Sequence, residues 1–230
     1  MTSPSPRGAS LIGREHVRVG RNNQDGFSLR TSSARTVGVV TDGCSSQARS
    51  EVGAQLGAQF LSGWLSREPL STELPLRATD ALCAWLYRTA VELDDAQALD
   101  AVLDTYFLFT FLAVVREGPR ALVFGMGDGA LLVDDQVVRL DSGPQNAPEY
   151  CAYRLGTGRR PEPQLHFVGE AKTVALMSDG LDCLLAREPG RVRSLFDGDL
   201  TNPLTLQRRL NVLGEAERFA DDATLVLVGA

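Results

Sequence analysis

Val37–Ser46 reads VGVVTDGCSS, and Val174–Asp182 reads VALMSDGLD. Each is an apolar run that ends in a hydroxyl residue, an aspartate and a glycine. Short apolar runs bounded by turn residues read as strands, and a glycine after the acid permits a sharp turn at the sheet edge. The chain therefore writes one strand-to-turn ending twice, with a carboxylate at the tip each time, Asp42 and Asp179. Asp221 and Asp222 precede the last strand, ATLVLV, and Asp25 in NNQDGF stands at the entrance to an early one. If the last strand runs antiparallel to the others, its beginning lies where they end. Four or five carboxylates then converge on one sheet edge.

Convergent carboxylates repel one another and take up protons unless cations neutralise them. Oxygen ligands without His or Cys suit hard divalent ions, Mg²⁺ or Mn²⁺, and disfavour zinc. Only two histidines occur in the chain, which excludes a His-rich site. Two such ions sharing a water lower its pKa and stabilise in-line attack on phosphorus. A single Asp-Gly is ordinarily a turn; the meaning lies in the full set at strand tips.

The rest of the chain limits the alternatives. With 230 residues, 43% of them hydrophobic, it can bury a sizeable core. A net charge of −6 argues against a general affinity for nucleic acid or an anionic membrane. No apolar stretch approaches the roughly 20 residues needed to span a bilayer. Residues 1–9 lack a secretory apolar core and read as a flexible lead-in, with 10–230 as a single domain. The cysteines, Cys44, Cys83, Cys151 and Cys183, are scattered without CxxC spacing, as expected of free thiols in a reducing cytoplasm.

Strands dominate, in meander-like runs such as YFLFTFLAVV, RALVFGMGD, ALLVDD and QVVRL. Helical periodicity appears from Arg49 to Ser66, where Val52, Leu56, Phe60 and Trp64 form the apolar face beside Leu61 and Leu65. Gly53 and Gly57 on that helix point to close approach to a sheet. Leu74–Leu93 and Leu204–Leu213 are further helices. This distribution favours an α+β layered domain of antiparallel sheets with helices outside over a βαβ sheet. GMGDG lacks the Lys-Ser/Thr ending of a nucleotide loop.

NNQDGF, VVTDG, SEVGAQLGAQFL, GMGDGALL, LMSDGLD and DDATLVLV occur in that order, from Ser10 to Val228. Together they resemble the metal-dependent protein phosphatase 2C (PPM) family, in particular its compact bacterial branch. The resemblance implies a four-layer α-β-β-α sandwich of two antiparallel sheets flanked by helices. It also implies a serine/threonine phosphatase that hydrolyses phosphoserine or phosphothreonine with a water bridging two Mn²⁺ or Mg²⁺ ions. Residue by residue, it makes Asp42 the bridging ligand, the Gly43 carbonyl the ligand beside it, and Asp179 and Asp222 the remaining metal carboxylates. Asp25 matches an acid that acts near the metals through water, and Asp128 matches a mainly structural aspartate. Asp104, with Asp100 as fallback, is the expected acid for a third, weaker metal. The implied partners are a phosphorylated protein and a cognate serine/threonine kinase, and the implied state is a cytoplasmic monomer.

Several positions depart from the family. Gln24 stands where many members have a metal-binding Glu, and Gly20 where they have a phosphate-binding Arg. CSS follows Asp42-Gly43 in place of the usual glycines. Arg18 and Arg21 are the candidate substitutes for the arginine, and strand alternation would place Arg18 on the face of Gly20. His16 reads as a surface or hydrogen-bonding residue and not as a catalytic acid. These departures leave a second reading open, a pseudophosphatase that serves as a binding or regulatory module; retention of Asp42, Asp179 and Asp222 argues for the enzyme.

Overall fold

The computed structural model describes residues 6–93, 98–143 and 147–229. Two five-stranded antiparallel sheets form its centre. In one, β1 (Arg7–Leu11), β10 (Ala223–Gly229), β9 (Thr173–Met177), β6 (Gly129–Val133) and β7 (Gln136–Leu140) lie in that order. In the other the order is β2 (Asp25–Thr31), β3 (Thr36–Gly43), β4 (Phe109–Glu117), β5 (Arg120–Met126) and β8 (Gln164–Glu170). The sheets bury a shared apolar layer that includes Val40, Leu112, Val114, Leu176, Val226 and Val228.

The second sheet is covered by α2 (Ser50–Leu65), α3 (Leu74–Leu93), α4 (Leu99–Tyr106) and α5 (Tyr153–Gly156). The first is covered by α6 (Asp182–Arg187), α7 (Pro189–Arg193) and α8 (Thr205–Glu217). The expected α+β sandwich of four layers is therefore present. Its central strands are apolar without interruption because both faces are covered. Along β4, Phe111, Ala113 and Val115 face the helices while Leu112 and Val114 face the other sheet.

Three local expectations fail, each for a physical reason. Residues 14–19 form a helix, α1 (Arg14–Val19), and not a strand. HVRV alternates like a strand, but Gly20 closes the segment in the left-handed region at φ 71°, a helix-terminating cap. The face of α2 is also displaced. Its buried stripe is Ser50, Gly53, Ala54, Gly57, Ala58, Leu61 and Leu65, whereas Leu56 is 47% exposed. Close backbone approach decides this: a Cβ on Gly53 would lie 2.0 Å from the Tyr106 carbonyl, and one on Gly57 2.5 Å from the Phe109 ring. Third, β1 starts at Arg7 inside the segment read as a lead-in, and pairs with β10 from Arg7↔Leu227 to Leu11↔Ala223. Residues 1–5 of that lead-in lie outside the described residues.

Candidate metal centre

Asp25 and Asp42 are direct partners in the β2–β3 ladder, and Asp42 pairs with Thr110 on the other side. From the opposite sheet, Asp179 begins a turn of 3-10 helix directly after β9, with Ser178 as the intervening residue. Ser178 crosses between the sheets: its Oγ donates to Asp25 Oδ2 at 2.7 Å and its N–H to the Thr224 carbonyl at 2.9 Å. Asp128 occupies the turn between β5 and β6, flanked by Gly127 and Gly129 at φ 100° and 109°. Gly180 is required sterically, because a Cβ there would lie 1.9 Å from the Asp222 carbonyl oxygen. Asp25, Asp42, Asp128, Asp179, Asp221 and Asp222 thus gather at one end of the sandwich.

Their charges oppose one another. Burial, then the charges of Asp25, Asp179 and Asp128, push the Asp42 carboxyl well above the usual range. Burial raises Asp25 in the same way against the opposing Ser178 hydrogen bond, with Asp222 and Asp179 adding to the rise. Burial also raises Asp179, its hydrogen bond with Asp42 opposes this, and Asp221, Asp182 and Asp222 add to the rise. Asp128 is pushed up to about 6, by burial first and then by Asp179. Asp25 Oδ1, Asp179 Oδ1 and Gln24 Oε1 are buried oxygens without a hydrogen-bond partner. Buried, mutually repelling carboxylates with spare lone pairs fit a hard divalent cation.

Asp222 and Asp221 differ in burial and in partners. Asp222 is 2% exposed; its Oδ1 accepts from the Gly13 N–H at 2.6 Å and its Oδ2 from the Gln24 N–H at 2.5 Å. His16 Nδ1 lies 2.9 Å from the same Oδ2, without the alignment of a formal hydrogen bond. The Asp221 side chain is 49% exposed, and its charge raises Asp179 more than that of Asp222 does. His16, Asp221 and Asp222 are close enough together to hold an ion.

The remaining site residues separate into two groups. Gly43 is buried beside Asp42, and its N–H donates to the Gln24 carbonyl at 3.1 Å. The Gln24 side-chain amide donates to the Gln47 carbonyl at 3.1 Å and Ser50 Oγ at 2.8 Å, which leaves its own oxygen free. Arg21 Nη1 donates to the Ser45 carbonyl, in the turn that follows Gly43. Arg18 points into solvent and pairs with Glu15 at 3.4 Å. Its expected advantage came from strand alternation, which α1 removes. Asp104 is exposed on α4, and Asp100 is exposed and packs against Gly156; the strongest charges acting on Asp42, Asp128 and Asp179 are those of other acids. Asp128 and Asp182 do act there. Asp182 Oδ1 is buried without a partner, and its Oδ2 accepts from Arg139 at 2.9 Å. The two glycines around Asp128 were the available sequence signal, since they make a turn tight enough to turn that acid inward.

Comparisons with known proteins agree with this architecture. The family profile described as protein phosphatase 2C matches residues 12–220. No curated protein matches by sequence. Among solved structures, the serine/threonine phosphatase Stp1 from Staphylococcus aureus superposes with a TM-score of 0.70 at 16% identity, covering 100% of this chain and 96% of that one. The Mycobacterium tuberculosis serine/threonine phosphatase PstP/Ppp gives 0.58 at 20% identity, covering 96% and 97%. The catalytic domain of PstP in complex with two manganese ions gives 0.60 at 18% identity, covering 98% and 97%. At these identities the structures establish the fold. The profile spans nearly the whole chain, and on that ground the chain belongs to the protein phosphatase 2C family.

Proposed function

We propose that this protein hydrolyses phosphoserine and phosphothreonine in proteins with two Mn²⁺ or Mg²⁺ ions. The carrying observation is the set of buried and half-buried carboxylates that raise one another's pKa while Asp25 and Asp179 keep unpartnered oxygens. Asp42, the Gly43 carbonyl, Asp179 and one acid of the Asp221–Asp222 pair would hold the ions. When bound, the ions supply charge neutralisation and an activated water for in-line attack on phosphorus. Gln24 offers its neutral amide oxygen where a carboxylate would add charge. Asp25, against Asp42, orients the groups around the ions, and Ser178 fixes it. Asp128, which acts on Asp42, would be the acid for a third, weaker ion in place of the exposed Asp104. Arg21, held over the turn after Gly43, is the better placed arginine for orienting a phosphate dianion, since a guanidinium offers two parallel donors. The substrate would be a phosphorylated protein, the product of a serine/threonine kinase. Retention of six acids in one place supports turnover over a binding-only role.

The test uses p-nitrophenyl phosphate, then phosphoserine, phosphothreonine and phosphotyrosine peptides, each with Mn²⁺ and with EDTA. Mn²⁺-dependent hydrolysis with preference for the first two peptides is expected, and Asp42→Asn should abolish it. Metal-independent turnover, or an Asp42→Asn variant that keeps most of wild-type kcat, would refute the reading.

A further inference from the structure

The crossover between the two sheets, residues 12–24, runs from the end of β1 to the start of β2. Both its ends are tied to one carboxylate. The Gly13 N–H, just before α1, donates to Asp222 Oδ1 at 2.6 Å, and the Gln24 N–H, just before β2, donates to Asp222 Oδ2 at 2.5 Å. His16, 7% exposed, sets its Nδ1 2.9 Å from Oδ2. Gly13 has no room for a side chain: a Cβ would lie 2.3 Å from the Asp221 carbonyl carbon. The crossover therefore sits directly on the Asp221–Asp222 backbone. From Gln24 the linkage continues, because the Gln24 carbonyl accepts the Gly43 N–H at 3.1 Å. A single residue, Gln24, separates the carboxylate of Asp222 from the turn that carries Asp42.

We infer that Asp222, backed by His16, is a positioning residue that staples the crossover and through Gln24 holds the Asp42–Gly43 turn in place. A carboxylate has about four lone-pair sites on its two oxygens. Here both oxygens are already claimed by backbone donors, and the residue is buried on the side of the crossover. Asp221, one residue away, is half-exposed and acts more strongly on Asp179. Charge-assisted hydrogen bonds from backbone N–H groups to a buried carboxylate are among the stronger ones, so the staple is a firm one. The inference rests on the proposed metal reading only for the Mn²⁺ readout; the staple is a property of the metal-free protein.

The experiment has two readouts. The first is amide hydrogen exchange at Gly13 and Gln24 in EDTA. The second is Mn²⁺ stoichiometry and affinity by electron paramagnetic resonance, with Mn²⁺ alone as the probe. Asp222→Asn should speed exchange at both amides by about 10-fold or more, the scale of losing a hydrogen bond to a charged group. It should keep the wild-type number of Mn²⁺ ions, bound about 10–100-fold more weakly, as when a supporting partner of a ligand is lost. Asp221→Asn should leave both amides at wild-type rates. An Asp222→Asn variant that loses an ion while Gly13 and Gln24 exchange as in wild type would overturn the inference. Should Asp222→Asn fail to fold, His16 provides the second arm. His16→Ala should speed Gln24 exchange and lower kcat for p-nitrophenyl phosphate with KM unchanged, and His16→Asn, which keeps a side-chain N–H, should restore kcat. Unchanged exchange and kcat in His16→Ala would remove His16 from the staple. If the wild type binds no Mn²⁺, the metal reading fails, and the exchange data alone still decide the staple.

Discussion

Asp128→Asn should stabilise the metal-free protein at neutral pH. The native carboxyl titrates at about 6, against 3.8 for the free group, because burial and Asp179 disfavour its charge. Each pKa unit corresponds to about 1.36 kcal/mol, so the ionised group costs the fold up to ~3 kcal/mol. The sign follows from the raised pKa. The contribution of Asp128 to stability is complete below pH ~4 and is lost as pH rises through about 6. An amide in the same place carries no charge to desolvate. For a chain of this length, ~3 kcal/mol corresponds to a rise in Tm of roughly 6–12 °C as a ceiling. The assay is thermal melting of both proteins in EDTA from pH 4.5 to 8, repeated with Mn²⁺. The variant should gain on the wild type as pH rises, and Mn²⁺ should narrow the gap by neutralising the wild-type cluster. A variant less stable than wild type at pH 8 in EDTA, or a gap that does not change with pH, would refute the reasoning.

Gly180→Ala should destabilise by about 1–3 kcal/mol, the scale of overpacking, and weaken Mn²⁺ binding, because its Cβ would meet the Asp222 carbonyl; denaturant unfolding checks the first part. Arg21→Ala should raise KM for p-nitrophenyl phosphate several-fold, whereas Arg18→Ala should match wild type; equal effects would place the phosphate contact elsewhere. Leu56→Gln should change stability by no more than about 0.5 kcal/mol, while Leu61→Ala should cost about 2–5 kcal/mol, and the reverse ranking by urea unfolding would restore the helix face read from periodicity.

The strands were legible because the sandwich buries them on both faces, so that VGVV, LFTFLAVV and ATLVLV are nearly unbroken apolar runs. The acids at their tips were legible for the same reason: a charge directly after such a run stands out. What sequence could not fix was orientation. Asp221 and Asp222 are neighbours in the chain, and their burial differs according to which way the backbone turns as it enters β10. Asp128 looked like a turn residue and is one, but the turn bends it inward. The phase of α2 depended on its glycines meeting Tyr106 and Phe109, contacts made across more than 50 residues of chain, a separation that helix periodicity does not see. HVRV alternated as a strand does, and only the left-handed Gly20 made it a helix.

The acids come from two separate sheets: Asp25 and Asp42 from one, Asp179, Asp221 and Asp222 from the other. The distance between these two rows is set by the valines and leucines packed between the sheets, about 10 Å in a sandwich of this kind. That apolar layer acts as a gauge block for the acid end. Gly38 lies within it, and a Cβ there would meet Val114, Val228 and Val226 at 3.1, 3.2 and 3.3 Å, so the layer has little slack. A methyl group added or removed in the gap would change the span across which the carboxylates face each other. Selection on ion geometry can therefore act on residues that never approach an ion.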